Sequence, residues 1–174
     1  CGVIERADQR ALCPADMGAN PDILPARSNH ANVIGVTSMH IASNAVGPNI
    51  FTRRRTMSTG SWIDIAAPGE GFMTTVNTEN NADEPYQMIA TGERWPAPDD
   101  FAAAHVAGVI AAMSSINPDR SPLQILSSLC RNAHRDESLG KFELGSEGWL
   151  RNDTYGCGVL DFEQTVEHMP IKVR

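Results

Sequence analysis

Two adjacent carboxylates precede an apolar stretch with helical character. Asp99 and Asp100 stand directly before the segment Phe101-Ala-Ala-Ala-His105-Val-Ala-Gly108. The first N–H groups of a helix lack intrahelical partners, so an acidic side chain there is stabilised by roughly 0.3–1 kcal/mol through the helix dipole. A capping aspartate contributes about 1 kcal/mol relative to alanine. Helix capping is the structural interpretation of the pair, and an acid–base or ligand-binding carboxylate is the functional one.

The other residues that could bind metals or act as nucleophiles have no spacing typical of a known site. The four cysteines are Cys1, Cys13, Cys130 and Cys157. They lack C-x-x-C spacing and can form two disulfides in three pairings, or remain free thiols. The five histidines are scattered, so we expect no metal site among them. Arg53-Arg54-Arg55 is the only basic cluster, and we expect it in a solvated loop. Asn152-Asp153-Thr154 is a glycosylation sequon, meaningful only in a secreted protein.

The composition is that of a globular domain. The chain has 174 residues, 41% hydrophobic and 20% charged, which is enough for one domain with a core. A net charge of −7 makes nucleic-acid binding a poor expectation. Apolar runs fall far short of the roughly 18 residues of a membrane span, so we expect no membrane segment. Because the chain begins at Cys1, with no initiator Met or signal peptide, we interpret it as a piece of a longer protein, with its compartment left open.

Strands that alternate with helices predict an α/β fold with a parallel sheet. Residues 32–37 form a compact apolar run typical of a strand buried on both faces. Residues 62–67 alternate and then meet Pro68-Gly69, which predicts a strand followed by a turn. Residues 86–90 are a further strand candidate.

Two helices follow these strands. The first, from Phe101, is apolar or small all round to Met113, which predicts burial on nearly every side. The second begins at Ser121, with Pro122 at the first helical position and Gln124 three residues after the cap. Its predicted apolar stripe consists of Leu123, Leu126, Leu129 and Cys130. We expect a turn into a short strand over residues 155–160 and a short helix over residues 162–168.

Five segments, in the same order, resemble the subtilisin-like serine peptidases (subtilases, peptidase family S8). His105-Val-Ala-Gly108 resembles the end of the helix motif Gly-Thr-Ser-x-Ala-x-x-His-Val-Ala-Gly. The other four segments are Leu12 to Gly18, Pro25-Ala26 with Asn32-Val-Ile-Gly-Val, Asp64-Ile-Ala-Ala-Pro68-Gly69, and Tyr155-Gly-Cys-Gly-Val-Leu160. The resemblance implies a subtilisin-like three-layer α/β fold with a mostly parallel sheet.

The chain departs from the family pattern at the catalytic serine. The family's nucleophile lies five residues before the histidine of the helix motif, and here that position is Asp100. Pro98 and Asp99 replace the glycine and threonine before it. A carboxylate does not simply replace a seryl nucleophile, and its charge would repel the oxyanion that forms in peptide hydrolysis.

A second departure falls on the oxyanion donor. The resemblance places Met17 where the family has an asparagine amide, and methionine has no donor; Asn20 is the alternative after a loop shift. The resemblance also implies a cleft edge that could pair with an extended peptide, formed by Leu12, Cys13, Pro14, Ala15 and Asp16. Calcium is implied by the family alone, because nothing in the sequence forms a recognisable ligand loop.

The family's aspartate and general-base histidine motifs, Asp-Thr/Ser-Gly and His-Gly-Thr, do not occur in this sequence. His105 belongs to the helix motif and is not the general base of the family. We therefore interpret residues 1–174 as the C-terminal half of one subtilisin-like domain. The N-terminal half would be absent or would lie on a partner chain.

These departures predict a catalytically degenerate pseudopeptidase that binds a peptide or protein. One alternative is an active serine endopeptidase whose nucleophile is misplaced in this comparison, for instance at Thr91, or which a second chain completes. A further alternative is a non-proteolytic enzyme that reuses the cleft, with Asp100 as acid or base.

Overall fold

The computed structural model describes residues 33–42, 50–52, 59–70, 73–75, 86–88 and 98–168. The strands are β1 (Val36–Ala42), β2 (Ile50–Thr52), β3 (Ile65–Glu70), β4 (Met73–Thr75), β5 (Tyr86–Met88), β6 (Glu143–Leu144) and β7 (Leu150–Arg151). The helices are α1 (Pro98–Ile116), α2 (Pro122–Asn132) and α3 (Phe162–Glu167), with a 3₁₀ turn at Glu137–Leu139.

The main sheet has β1 at its centre. β3 pairs with β1 in parallel and β2 pairs with it antiparallel, while β4 with β5 and β6 with β7 form separate hairpins. The predicted turn at Pro68-Gly69 is wrong, because β3 continues to Glu70 and Pro68 lies opposite Met39. Proline has no N–H for the ladder, and the register shifts immediately after this pair, between Met39 and His40. Long-range pairing with β1 therefore overrides the local turn signal.

Each face of this sheet carries its own core. Side chains of β3 alternate between the faces, as strand geometry requires. Ile65 and Ala67 pack with the buried faces of α1 and α2, which contribute Ala102, Val106, Val109, Met113, Ile125 and Leu129. Ala66 and Met39 pack on the other face with Leu139, Tyr155 and Val159. The described residues thus form an α/β arrangement in which α1 spans β1 and β3.

α1 is not buried all round, contrary to the prediction from its apolar sequence. Val106, Val109 and Met113 face the sheet and are buried. The opposite side is exposed and consists almost entirely of small residues, here called the small-residue face: Ala103, Ala104, Ala107, Gly108 and Ala111. The sequence could not separate the two sides because alanine and glycine carry no polar signal.

α2 begins as predicted. Ser121 Oγ accepts from the Gln124 backbone N–H at 3.3 Å, and Gln124 Oε1 accepts from the Ser121 backbone N–H at 2.9 Å, so the capping box is confirmed. The predicted apolar stripe is wrong at Leu123, which is 60% exposed, while Leu129 and Cys130 are buried. Leu123 lies on the same side of the helix as Cys130, but two turns nearer its start. It is not part of the buried cluster that includes Cys130.

The C-terminal segment combines a turn with a short helix. Residues 155–160 form isolated bridges to β3 and to His134 rather than the predicted strand. The helix is confirmed as α3, and its Asp161 cap accepts from the Gln164 backbone N–H at 2.9 Å. A disulfide joins Cys130 to Cys157, with the Cα atoms 5.2 Å apart, so one pairing left open by the sequence is now assigned.

Candidate functional site

Asp99 and Asp100 lie inside the first turn of α1, because the helix begins at Pro98. The predicted capping role would place a side chain at the residue before the helix, so the capping interpretation is corrected. Asp99 is 9% exposed, and its Oδ1 accepts from the Ser38 backbone N–H at 2.7 Å. The carboxylate therefore ties the start of α1 to the middle of β1. Asp100 is exposed.

The first turn of α1 offers no nucleophile of the kind a serine or cysteine peptidase uses. Its residues are proline, two aspartates and phenylalanine, so it carries neither a hydroxyl nor a thiol. The exposed carboxylate of Asp100 is favoured there by the helix dipole. His105 lies one turn further on, exposed, with its Nδ1 at 2.9 Å from the Phe101 carbonyl oxygen. The structure thus places Asp100 at the start of a helix, as the sequence indicated, with no serine beside it in that turn.

Ser38 is a residue of this region that sequence reasoning missed. Its side chain is 1% exposed, and among the described residues its hydroxyl has no hydrogen-bond partner. A hydroxyl so deeply buried cannot reach a peptide outside the fold. Ser38 lies beside Asp99 because α1 packs against β1. The two residues are 61 positions apart in the sequence, so only the structure shows this contact.

Two further titratable groups lie at the carboxyl ends of the parallel strands. His40 Nδ1 on β1 is 3.8 Å from Glu70 Oε2 on β3, and Glu70 is 6% exposed. In α/β sheets this edge is the usual place for ligand sites. The pair could not be predicted from the sequence, because the pattern around Pro68-Gly69 predicted a strand that ends before Glu70.

Asp64, from the Asp-Ile-Ala-Ala-Pro-Gly motif, organises the opposite ends of the same strands. Its Oδ2 accepts from the Gly35 backbone N–H at 2.7 Å. Burial raises the pKa of the Asp64 carboxyl, while the bond from Gly35 and the nearby Arg151 guanidinium oppose that rise. Arg151 Nη2 donates to the carbonyl oxygens of Ser61 and, at 3.0 Å, of Ile63. The motif therefore acts in the fold, at the ends of the strands opposite to those that carry His40 and Glu70.

The closing turn at residues 152–158 packs directly on β3. Gly156 has a φ of +57°, and a Cβ at this position would overlap the backbone of Asp64. Cys157 donates its N–H to the Asp64 carbonyl at 2.8 Å. Asn152 fixes the turn from within: its Oδ1 accepts from the N–H groups of Thr154 and Tyr155 at 3.0 and 2.8 Å.

The amide nitrogen of Asn152 is also engaged. Its Nδ2 donates to the carbonyl oxygens of Leu139 and Lys141 at 3.2 and 3.4 Å. One side chain thus joins the closing turn to the segment that follows the 3₁₀ turn.

A compact set of contacts, here called the α2–turn joint, connects the end of α2 to the closing turn. Besides the Cys130–Cys157 disulfide, Arg135 Nη1 donates to the Cys130 carbonyl at 2.9 Å and to the Cys157 carbonyl at 2.6 Å. The backbones of His134 and Val159 exchange two hydrogen bonds of 2.8 and 2.9 Å.

Several predicted positions lie outside the described residues: Leu12, Cys13, Pro14, Ala15, Asp16, Met17, Asn20, Pro25, Ala26, Arg53, Arg54, Arg55 and Thr91. Within the described ranges, no three histidine, cysteine or acidic side chains gather as they would around a metal ion. Among the helices that the structure describes, none is long and apolar enough to cross a membrane.

No family model matches the chain. Mycosin-1 of Mycobacterium tuberculosis is 31% identical over 105 residues, covering 59% of this chain and 20% of that protein. The subtilisin-like protease SBT3.10 of Arabidopsis thaliana is 29% identical over 107 residues, covering 60% of this chain and 13% of that protein. The chain therefore spans about a fifth or less of the length of these curated relatives.

Solved structures agree on the fold. Fervidolysin of Fervidobacterium pennivorans, a keratinolytic enzyme related to subtilisin, superposes with a TM-score of 0.58 at 22% identity, covering 87% of this chain and 21% of that one. The serine protease of Aeromonas sobria, in complex with its chaperone, gives 0.54 at 20% identity, covering 79% and 30%. The described residues therefore have a subtilisin-like α/β fold, and the curated relatives together with the solved structures support the subtilisin-like serine peptidase family.

Proposed function

We propose that this chain belongs to a subtilisin-like module that has lost proteolysis and binds peptides or proteins. The observation that carries the proposal is the first turn of α1. By resemblance the nucleophile belongs at Asp100, and that residue is an exposed carboxylate in a turn without a hydroxyl or thiol.

The electrostatics of this turn oppose acyl transfer. A serine peptidase must generate an alkoxide and stabilise a developing oxyanion beside the helix start. The Asp100 carboxylate puts a negative charge at that point, and Asp99 puts a second carboxyl one residue away, held by the Ser38 N–H. The Asp100 carboxylate favours the start of the helix and disfavours an anionic intermediate, and the Asp99 oxygens add hydrogen-bond acceptors where an oxyanion would need donors.

Peptide binding remains compatible with this site. By resemblance, the edge formed by Leu12 to Asp16 would pair with an extended peptide through main-chain hydrogen bonds, which need no nucleophile. Met17 at the oxyanion position, with Asn20 as its alternative, would affect hydrolysis and leave strand pairing available.

The second element of the proposal concerns the rest of the domain. The chain spans 20% and 13% of its curated relatives, and α1 leaves its small-residue face exposed. Helices that are apolar or small on every side are normally covered on every side. We therefore place residues 1–174 in the C-terminal half of one domain, whose other half, on the same chain or on a partner, covers this face.

A peptide-cleavage assay on the complete protein that contains residues 1–174, with both halves of the domain present, tests the loss of proteolysis. The substrate is fluorescently labelled, unfolded casein, and the parent is compared with Asp100→Ser and with the isosteric control Asp100→Asn. We expect no cleavage and no labelling by a serine-directed phosphonate in the parent or in Asp100→Asn. Cleavage by the parent would overturn the proposal and direct attention to Thr91 and the residues around it.

Activity that appears only in Asp100→Ser would identify Asp100 as the change that silenced the site. Silence in all three proteins would extend the loss to the oxyanion donor or the general base. Binding is measured separately, as saturable anisotropy of the same labelled casein. We expect equal affinity in the parent and Asp100→Asn, and the absence of any saturable binding would contradict the binding role.

A further inference from the structure

We propose that Arg135 selects the Cys130–Cys157 pairing by holding the α2–turn joint together before the disulfide forms. This inference concerns the fold and is independent of whether the site has lost proteolysis. The four cysteines allow six different single pairs, and the sequence favours none of them.

One guanidinium positions the backbone of both cysteines. Nη1 of Arg135 donates to the Cys130 carbonyl at 2.9 Å and to the Cys157 carbonyl at 2.6 Å. Nη2 points towards the carbonyl oxygen of Arg131 at 3.5 Å. The two bonds to the cysteine carbonyls share Nη1, and Nη2 is a second donor in the same plane, directed at Arg131; a lysine ammonium is a single point charge without this fixed second arm.

The end of α2 gives this contact its strength. The last carbonyl groups of a helix have no intrahelical donor, and the helix dipole places partial negative charge on them. Cys130 and Arg131 carry two of these carbonyls, since α2 ends at Asn132. A cation that satisfies them makes charge-assisted hydrogen bonds, and through Cys157 it also anchors the closing turn.

The rest of the joint is likewise independent of the sulfur atoms. His134 and Val159 exchange two backbone hydrogen bonds, and Cys157 donates to the Asp64 carbonyl. Gly158 allows these segments to approach closely: a Cβ there would lie 2.6 Å from the His134 carbonyl oxygen and 3.0 Å from Arg135 Cγ. The two cysteines are thus brought together by contacts that a reduced chain can form, and both are buried in the finished fold.

The chemistry uses glutathione disulfide as oxidant. One cysteine thiolate attacks it and releases one glutathione thiolate, giving a mixed disulfide. The second cysteine thiolate then displaces the other glutathione. Two cysteine thiols lose two electrons and two protons, and the oxidant leaves as two glutathione thiols. The second step is intramolecular, so its rate follows the effective concentration of the second thiol, which the joint raises for Cys130 with Cys157.

Oxidative refolding of the full chain tests this role. Reduced protein is diluted from urea into glutathione buffer, quenched with acid at intervals, and mapped by mass spectrometry of non-reduced peptides. We expect Arg135→Met to form the Cys130–Cys157 link about tenfold more slowly than the parent and to accumulate pairs with Cys1 or Cys13. Arg131→Met is the matched control, an exposed arginine four residues away, and should refold at the parental rate.

Parental rate and pairing in Arg135→Met would overturn the proposal. Arg135→Lys should fall between the two, and full recovery by lysine would overturn the bridging geometry in favour of charge alone. A measurement on the parent covers the case in which Arg135→Met does not fold. In reduced protein under native conditions, Cys130 and Cys157 should react with iodoacetamide at least about tenfold more slowly than in urea. Equal rates would show that no joint exists without the disulfide, and the proposal would fail.

Discussion

Neighbouring aspartates at the start of α1 have different environments. Asp99 is buried and bonded to the β1 backbone, whereas Asp100 is exposed, although the two are adjacent in the sequence. The difference follows from helix geometry, because successive residues point about 100° apart. One of the pair therefore supports the fold, and the other occupies the position at which the family has its nucleophile.

Replacing Asp99 tests its structural role. Asp99→Ala leaves the buried N–H of Ser38 without this acceptor, and a lost hydrogen bond to a charged group costs roughly 1.5–3 kcal/mol in the free energy of unfolding. Asp99→Asn keeps an oxygen acceptor and should cost less. Urea unfolding of both variants, beside Asp100→Ala, measures the difference. Asp100→Ala should lose no more than about 1 kcal/mol, the usual contribution of an exposed acid at a helix start. Equal costs for Asp99→Ala and Asp100→Ala would contradict the assigned roles.

Asp64 should make the protein less stable as pH rises above 3.8, the pKa of its carboxyl group in the unfolded chain. Burial raises its folded pKa, so in the window between 3.8 and the folded pKa the native state binds more protons than the unfolded state. The free energy of unfolding contributed by this group therefore falls through that window and is constant above it. Asp64→Asn keeps an acceptor for the Gly35 N–H and should remove this slope in urea titrations at successive pH values.

Asp136 is a control, because its contribution to the free energy of unfolding should change with pH in the opposite direction to that of Asp64. Hydrogen bonds from Ser138 and His134 lower its folded pKa, so its stabilising contribution is present above 3.8 and is lost as pH falls through the folded pKa. Asp136→Asn should therefore flatten the acid side of the profile and leave the slope of Asp64 in place. A loss of the Asp64 slope in Asp136→Asn would contradict the assignment.

Elements whose ends are set by neighbouring residues are predictable from the sequence, and those set by distant contacts are not. The start of α2 follows from Ser121, Pro122 and Gln124, because the capping box is complete within four residues. The turn predicted at Pro68 does not form, because β3 stays paired with β1 through Pro68 and as far as Glu70. The same division applies to the candidate site. Asp100 lies at a helix start as predicted, whereas the destination of the Asp99 carboxylate depends on Ser38 and could not be deduced.

The packing of the closing turn on β3 gives a sharp test by glycine substitution. Gly156→Ala must place a Cβ against the Asp64 backbone at a φ of +57°. Gly148 also has a positive φ, of +86°, but a Cβ there meets no atom of the described part of the chain within 4 Å. We expect Gly148→Ala to cost about 1–2 kcal/mol for the left-handed backbone alone, and Gly156→Ala to cost at least about 2 kcal/mol more. Thermal unfolding of the pair measures the difference, and similar costs would mean that the turn moves away from β3 easily.

At the scale of the whole molecule, the question is whether a second half of the domain covers the small-residue face of α1. Among the described residues, no atom lies within 4 Å of a Cβ built at Gly108, in the middle of that exposed face. On a free face, Gly108→Ala should stabilise the helix by roughly 0.5–1 kcal/mol, because alanine is the better helix former. Under a tightly packed second half of the domain, the added methyl group should destabilise the full chain instead.

The sign of the change in the unfolding free energy of the full chain therefore tests the incomplete-domain proposal. We expect destabilisation, since small residues on a helix allow close approach of a neighbouring backbone. A stabilised Gly108→Ala protein would mean that the face is solvent-exposed in the complete molecule, and the proposed second half would have to lie elsewhere.

The hydrogen bonds of Asn152 mean that this residue can be glycosylated only before the closing turn has folded. The sequon asparagine has both hydrogens of Nδ2 directed at the carbonyls of Leu139 and Lys141, and a glycan would replace one of them. A transferase that requires that nitrogen can therefore reach it only while the closing turn is still open. Sugar attachment and folding at this turn are competing processes, and the faster one determines whether the mature protein carries a glycan.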